Sequence, residues 1–574
     1  MSLGSAYRVR WKAWASIGFL ALLLAVSGIT SQAAAPMAVG ENGMVVAANP
    51  LAAEAGLEML RRGGNAVDAA VAAAFAIGVV EPHGSGIGGG GVMVIKLADS
   101  DEAVVIDYIA RASHDATPDM LIWDQPTPAE RERRYTTGWS SVLVPGTVAG
   151  LALAVERYGT LPLSEVLQPA ILLAREGFPV TATVFEALLD NYDALMADPE
   201  TARVYLDEGI PYFEGDIMRL PDLADTLERI ADEGPDVFYR GEIARKIADA
   251  SRRGGGIITV YDLETYEPIV RSAIKTTYRG YELYSAPPAA SGGLLVLEAL
   301  NVLEGFDLKA MGAGSAAAIH AVAESLRIGY LDRLRWVADP DYVRVPVEQL
   351  LSKVYAARAR QRIDLERRAE YDRYDLPDPR QVWAEAYDSS DTTHLGAVDS
   401  QGNIVALTQT LTHFFGAKVT VPGTGILMNN SLSGFWYQPG NLNSIEGGKR
   451  PRSYMAPTLV LKNGRPYISI GSPGSGRIPT AVVQVLVNLI DHEMDPYEAV
   501  DAPRFYAATE PVLEVEGRFD PEVIEALREM GYEVQVREPY DLYFGGVHLI
   551  VYDFEQDAWV GVADPRRDGA AAGY

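Results

Sequence analysis

Two threonines, Thr392 and Thr410, flank a segment that reads as a β-hairpin. Leu395-Gly396-Ala397-Val398 and Ile404-Val405-Ala406-Leu407 are apolar and β-branched, and Asp399-Ser400-Gln401-Gly402-Asn403 between them holds turn formers. A hairpin centred on Gln401 sets Thr392 directly across from Thr410, with Cβ atoms roughly 4.5–5.5 Å apart. A threonine hydroxyl is a weak nucleophile that needs a base. If the Asp391–Thr392 bond were cut, Thr392 would gain an α-amino group of pKa about 8, close enough to working pH to serve as its own base. Thr410 could then hold the hydroxyl by a hydrogen bond. Threonine pairs across hairpins are also common for strand geometry alone.

A second segment bears on the choice. Gly471-Ser472-Pro473-Gly474-Ser475-Gly476 follows the strand-like Tyr467-Ile468-Ser469-Ile470 and precedes an apolar helix from about Pro479. Such a loop points backbone N–H groups into one space near a helix N-terminus, which can stabilise an oxyanion. An ordinary strand-to-helix turn has the same pattern.

The elements that must position these residues are partly readable. Asn49-Pro50 opens a helix, with Asn49 as N-cap, and Gly63-Gly64 stops it. Asn65 and Asp68 resemble a capping pair for an alanine-rich helix to about Gly78, apolar on nearly every side and so buried. The glycine run Gly84 to Gly91 (Ser85 and Ile87 interposed) follows a helix and precedes the strand Val92-Met93-Val94-Ile95. A phosphate loop has the opposite order, so close backbone packing is the better reading. Residues 136–330 read as helices broken by turns. Strands are expected at 394–411, 457–461 and 466–471, then a helix near 479–491. This irregular alternation predicts sheet layers flanked by helices.

Composition sets limits. The 574 residues are 48% hydrophobic and carry a net charge of −28, which disfavours nucleic-acid partners. There is no cysteine, so disulfides and thiolate chemistry are excluded. The seven histidines are scattered and His-Glu-x-x-His is absent, so metal catalysis is disfavoured and no cofactor is expected. His394 reads as a strand residue and His492 as a solvated helix end. Arg8, Arg10 and Lys12, an apolar stretch from Ala13 to Ile29, and small residues through Ala35 have the layout of a secretory signal over 1–35. The apolar run is short for a membrane span. Export to a periplasm or outside the cell is expected, without a stable membrane partner.

The chain resembles the γ-glutamyltranspeptidase family of N-terminal-nucleophile hydrolases from about Gly43 to Asp564. The marks are Asn49 to Ala53, Gly63 to Ala70, Gly86 to Gly90, Val144 to Gly150, Pro287 to Gly293, Asp391-Thr392-Thr393-His394, Lys449-Arg450-Pro451, Gly471 to Gly474 and Asp501 to Arg504. The resemblance implies an α+β fold, a four-layer αββα sandwich, and a proenzyme that cuts itself between Asp391 and Thr392. The products would be a large subunit, about 36–391, and a small catalytic subunit, 392–574. Thr392 would then attack a γ-glutamyl or related amide, as in glutathione, and pass the acyl group to water or an amino acid. Thr410 matches the family's supporting threonine, Gly474 and Ser475 its oxyanion pair, and Ser453 one of two adjacent pocket serines.

The departures fall where substrate is read. The family's carboxylate-clamping arginine aligns to Ile109. Arg111, two residues on, would share its face if the segment is a strand. The acidic residue for the substrate amino group aligns to Gly434. Ser431 stands where a glutamine is usual, Thr412 where an asparagine is, and Tyr454 where the second serine is. The segment Trp436 to Gly448 is shorter than in members with a lid, which predicts an open site. These changes predict a less polar acyl group than γ-glutamyl. The alternative is a catalytically silent secreted binding protein that keeps the fold.

Overall fold

Side-chain alternation along the strands decides the architecture. The computed structural model describes residues 35–369, 391–509 and 511–574. The expected leader, up to residue 34, and residues 370–390 before the expected cut lie outside the described residues. Fourteen strands form two large sheets. They are β1 (Met37–Gly40), β2 (Gly43–Ala47), β3 (Gly90–Lys96), β4 (Val104–Tyr108), β5 (Ile269–Ser272), β6 (Ile274–Tyr278), β7 (Tyr281–Ser285), β8 (Thr393–Asp399), β9 (Ile404–Thr410), β10 (Thr458–Lys462), β11 (Arg465–Gly471), β12 (His548–Asp553), β13 (Ala558–Ala563) and β14 (Ala570–Gly573). The first sheet has the order β14-β2-β8-β9-β3-β4-β5 and the second β1-β13-β12-β11-β10-β7-β6.

Successive residues of a strand point to opposite faces. Met44, Val46, Val92, Val94, Val398, Ile404 and Ala406 of the first sheet pack on Tyr284, Leu459, Leu461, Ile550 and Trp559 of the second. Their neighbours Val45, Ala47, Met93, Ile95, Leu395, Ala397, Val405 and Leu407 face the other way. They meet α1 (Pro50–Arg61), α2 (Ala66–Val80) and α3 (Thr147–Tyr158). The outer face of the second sheet, with Leu283, Val460, Ile468, Ile470 and Leu549, packs on α4 (Ser291–Leu303), α5 (Ala316–Trp336) and α6 (Ile478–Ile490). Two sheets face to face with helices outside each give the four-layer αββα arrangement.

The cap signals are realised. Asn49 Oδ1 accepts from Leu51 N–H, and Asn65 and Asp68 form a reciprocal capping box at α2. All but one of the α2 residues are buried, in line with its all-round apolar sequence. One expectation is corrected: residues 136–330 are not wholly helical. They hold Phe178–Pro179, Ile217–Met218 and the three strands β5 to β7. β5 and β6 are sheet edges with half-exposed residues, so the apolar alternation that marks a buried strand is weak there.

Both sheets contain strands from before and after Asp391. β8 pairs with β2 on one side and β9 on the other, and β9 pairs with β3. A cut before Thr392 would therefore leave both pieces bound in shared sheets.

Candidate active site

The register of β8 on β9 builds the centre. Thr393 pairs with Gln409, which places Thr392 opposite Thr410 at the open end of the hairpin. Thr392 Oγ1 donates to Thr410 Oγ1 at 3.0 Å, and the Thr412 N–H donates to the same oxygen at 2.8 Å. The Thr410 oxygen is thus held by backbone and aligned on the Thr392 hydroxyl. Thr392 is 5% exposed, so its hydroxyl is shielded from bulk water yet borders a cavity.

The carbonyls on both sides of the Thr392 nitrogen, those of Asp391 and Thr392, are held. The Gly474 N–H donates to the Asp391 carbonyl oxygen at 3.2 Å. Arg567 donates to the Thr392 carbonyl oxygen at 3.2 Å. Thr392 has φ +96°, a region that β-branched residues rarely occupy and that costs about 1–3 kcal/mol. Gly474 itself has φ +120°, and the short turn Ser475–Arg477 leads from it into α6. A glycine is required there, because a side chain at that φ would be strained.

Buried charge backs this peptide. Burial pushes the Glu81 carboxyl up to about 7, against the pull of the Arg567 guanidinium. Thr393 Oγ1 lies 3.5 Å from Glu81 Oε2. Burial lowers His83 to about 3 and holds Lys418 below its ordinary range, the latter opposed by the Asp391 charge. Gly88 and Gly89 are packed so tightly that a methyl on either would strike the Leu427 or Thr410 carbonyl. The glycine run lets β3 approach the end of β9, as close packing predicts. His394 is a buried β8 residue whose Nδ1 lies 2.8 Å from Thr408 Oγ1.

The cavity beside Thr392 is lined by Thr410, Thr412, Ser431, Gly434, Ser453, Tyr454, Ser475 and Ile109, all singled out from sequence. Thr412 and Ser431 share a hydrogen bond of 2.7 Å. A Cβ on Gly434 would come within 2.9 Å of Pro451 Cβ, so an acidic side chain does not fit there without backbone movement. No residue between 436 and 448 lines the cavity. That short segment folds on itself, with the Trp436 N–H donating to Asn443 O.

Arg111 is corrected. It does not line the cavity. β4 ends at Tyr108, and the Arg111 backbone pairs instead with Val144. Its guanidinium donates to Asp262 O at 3.2 Å and Thr265 Oγ1 at 3.0 Å. The same-face argument failed because the strand stops before it reaches Arg111.

Sequence reading missed Arg333, Arg452, His413, Met455 and Ile478 in the cavity wall, and Glu81 and Arg567 behind the scissile bond. The Lys449-Arg450-Pro451 motif adjoins Arg452 and could have flagged it. No local signal points to Arg333, which arrives from the last turn of α5.

The family model described as Gamma-glutamyltranspeptidase matches residues 52–574. The chain is 41% identical to the Acylase ACY 1 proenzyme of Pseudomonas sp. (strain SE83), over 93% of this chain and 93% of that protein. It is 38% identical to the Glutathione hydrolase proenzyme of Escherichia coli (strain K12), over 93% of this chain and 92% of that protein. Among solved structures, it resembles a cephalosporin acylase from Bacillus halodurans with TM-score 0.85 and 31% identity, covering 96% of this chain and 98% of that one.

Proposed function

The chain belongs to the γ-glutamyltranspeptidase family of enzymes, and on that premise we propose that it cuts itself before Thr392 and then uses Thr392 to cleave amides. The Thr392 hydroxyl attacks the Asp391 carbonyl carbon, and its proton leaves through the Thr410 hydroxyl. The Gly474 N–H stabilises the negative oxygen that forms. Breaking the C–N bond delivers a proton to the Thr392 nitrogen and leaves an ester on the hydroxyl. Water hydrolyses that ester, freeing the Asp391 carboxylate and the Thr392 amine. The amine then acts as base for the same hydroxyl on a substrate amide. The amine portion of the substrate departs, and water or an amino acid takes the acyl group from Thr392.

One observation carries this reading: nucleophile, carbonyl and oxyanion donor already meet at a single peptide bond. Thr392 Oγ1 is held at 3.0 Å by Thr410, while the Asp391 carbonyl accepts from Gly474 at 3.2 Å. Its strained φ is relieved when the bond breaks. The products, 36–391 and 392–574, stay joined through the shared sheets. The leader motivates export, and among the described residues no helix is long and apolar enough to cross a membrane.

A denaturing gel of purified protein tests the reading, together with assays on γ-glutamyl and simple acyl anilides. Two bands, the larger about twice the mass of the smaller, with amide hydrolysis support it. A single uncut chain with no hydrolysis favours the binding-protein alternative. A second reading, an acylase for a non-glutamyl acyl group, is favoured by a specific observation: no Asp or Glu is among the described cavity-lining residues. The acylase names of two similar proteins agree with it.

A further inference from the structure

We infer that Arg567, in the C-terminal tail, is a positioning residue for self-cleavage: by holding the Thr392 carbonyl it keeps Thr392 in the conformation from which the Asp391 peptide is cut. The inference rests on the reading of Thr392 as the self-cleaving nucleophile.

The approach of the Thr392 hydroxyl to the Asp391 carbonyl carbon depends on two torsions, χ1 and φ of Thr392. The hydrogen bond to Thr410 Oγ1 at 3.0 Å holds the first. The second is fixed once the peptide planes on both sides of Thr392 are fixed, because each plane is rigid. The Gly474 N–H holds the leading plane through Asp391 O at 3.2 Å. Arg567 Nη1 holds the following plane through Thr392 O, also at 3.2 Å. That plane is tied at its far end as well. Thr393 sits in register with Gln409, and its hydroxyl donates to Glu81 Oε2 at 3.5 Å. Between these attachments Thr392 has φ +96°, a conformation that persists only where the surroundings enforce it. Without Arg567 the Thr392 carbonyl is free to swing, φ relaxes towards the extended region, and the hydroxyl leaves its line on the carbonyl carbon.

Arg567 is built into its place. It is 7% exposed, and its stem passes Gly546 so closely that a Cβ there would come within 2.7 Å of Arg567 Cδ. The Gly546 N–H donates to Ser472 Oγ at 3.2 Å, so one loop braces both the Ser472–Gly474 turn and the arginine. The tail around Arg567 is anchored on both sides. Asp564 Oδ2 accepts from the Val547 N–H at 2.7 Å, and β14 pairs with β2. Burial favours a neutral guanidine, and the nearby carboxyl groups of Glu81, Asp391, Asp564 and Asp568 oppose that pull. Glu81 directly follows α2 and Arg567 lies near the chain end, so residues far apart in sequence hold the peptide that is cut. After the cut, no peptide hangs on the Thr392 nitrogen and φ is no longer strained. Arg567 therefore matters more to cleavage than to later turnover.

The test follows loss of the full-length band after cell-free synthesis of wild type, Arg567→Leu, Arg567→Lys and Gly546→Ala. Cleavage in Arg567→Leu is expected to slow by at least about ten-fold. Arg567→Lys, which can still donate to the carbonyl, recovers part of the rate. Gly546→Ala keeps the guanidinium but displaces its stem, and slows cleavage by about three-fold. Amide turnover per cut chain falls by a smaller factor than the cleavage rate in Arg567→Leu. Should that variant not fold, as its thermal midpoint would show, Gly546→Ala decides by its rate against wild type. Cleavage at the wild-type rate in the deciding variant overturns the inference and leaves Thr392 as the cleaving residue. So does an Arg567→Lys chain no faster than Arg567→Leu, or a greater loss in turnover than in cleavage. A wild-type chain that is never cut before Thr392 brings down both readings.

Discussion

The cleavage centre and the acyl pocket share Thr392 and Thr410, yet they are built from different material. Backbone makes the first: a hairpin register aligns two threonines, and a glycine turn aims one N–H at the Asp391 carbonyl. Side chains make the second, brought from Ile109 just past β4, from α5, the stretch 431–434 and the stretch 451–455. A backbone-built centre tolerates few changes, because register and turn type are fixed by the whole fold. A wall of side chains can change one residue at a time. The chemistry is therefore held while the substrate is free to vary.

That contrast breaks first at the nucleophile. Thr392→Ala leaves one full-length band on a denaturing gel and lowers amide hydrolysis by at least about 10⁴-fold. Two bands in this variant would move the cleavage chemistry to another residue.

The buried charge behind the scissile peptide gives the next effect. Glu81 has its carboxyl raised from 4.5 to about 7. Its contribution to stability is fully present below about pH 4.5 and is lost as pH rises through about 7, on the order of 3 kcal/mol in all. Glu81→Gln has no proton to lose. The thermal midpoint of Glu81→Gln should therefore gain on wild type between pH 5 and pH 8. His83, His413 and His548, each lowered to about 3, act in the opposite sense, losing stability as pH falls below about 6.5. They are common to both proteins and largely cancel in the difference. A difference that stays constant with pH would remove Glu81 from this role.

Gly474 comes third. Alanine at φ +120° costs about 1 kcal/mol and turns the N–H away from the Asp391 carbonyl. Processing of Gly474→Ala, followed as loss of the full-length band, should slow by about 10²-fold. The smallest effect belongs to the wall: Tyr454→Ser removes the ring whose centre lies 3.5 Å from the Arg333 guanidinium carbon. It should raise KM for the best amide substrate about ten-fold, with a smaller change in kcat. An equal fall in kcat would place Tyr454 in the cleavage centre and blur the comparison.

The same division explains what the sequence revealed. Thr392 opposite Thr410 followed from the turn at Asp399 to Asn403, because hairpin pairing is arithmetic on one continuous stretch. The helix starts at Asn49 and Asn65 followed from local capping chemistry. Arg111 was misplaced, since β4 ends at Tyr108 and Arg111 pairs with Val144, a residue distant in sequence. Arg333 and Arg452 were invisible as a pair: one lies in a helix and the other after a loop, and only the packing of α5 on the second sheet brings them together. β5 and β6 were read as helical territory because edge strands leave half their residues exposed and blur the alternation.

The proposed chemistry requires that Thr392 become a chain terminus. N-terminal sequencing of the smaller fragment from actively hydrolysing protein measures this directly. Thr392-Thr393-His394-Leu395 as its first residues is the predicted result. A different terminus, or full turnover by a chain that remains whole, contradicts it.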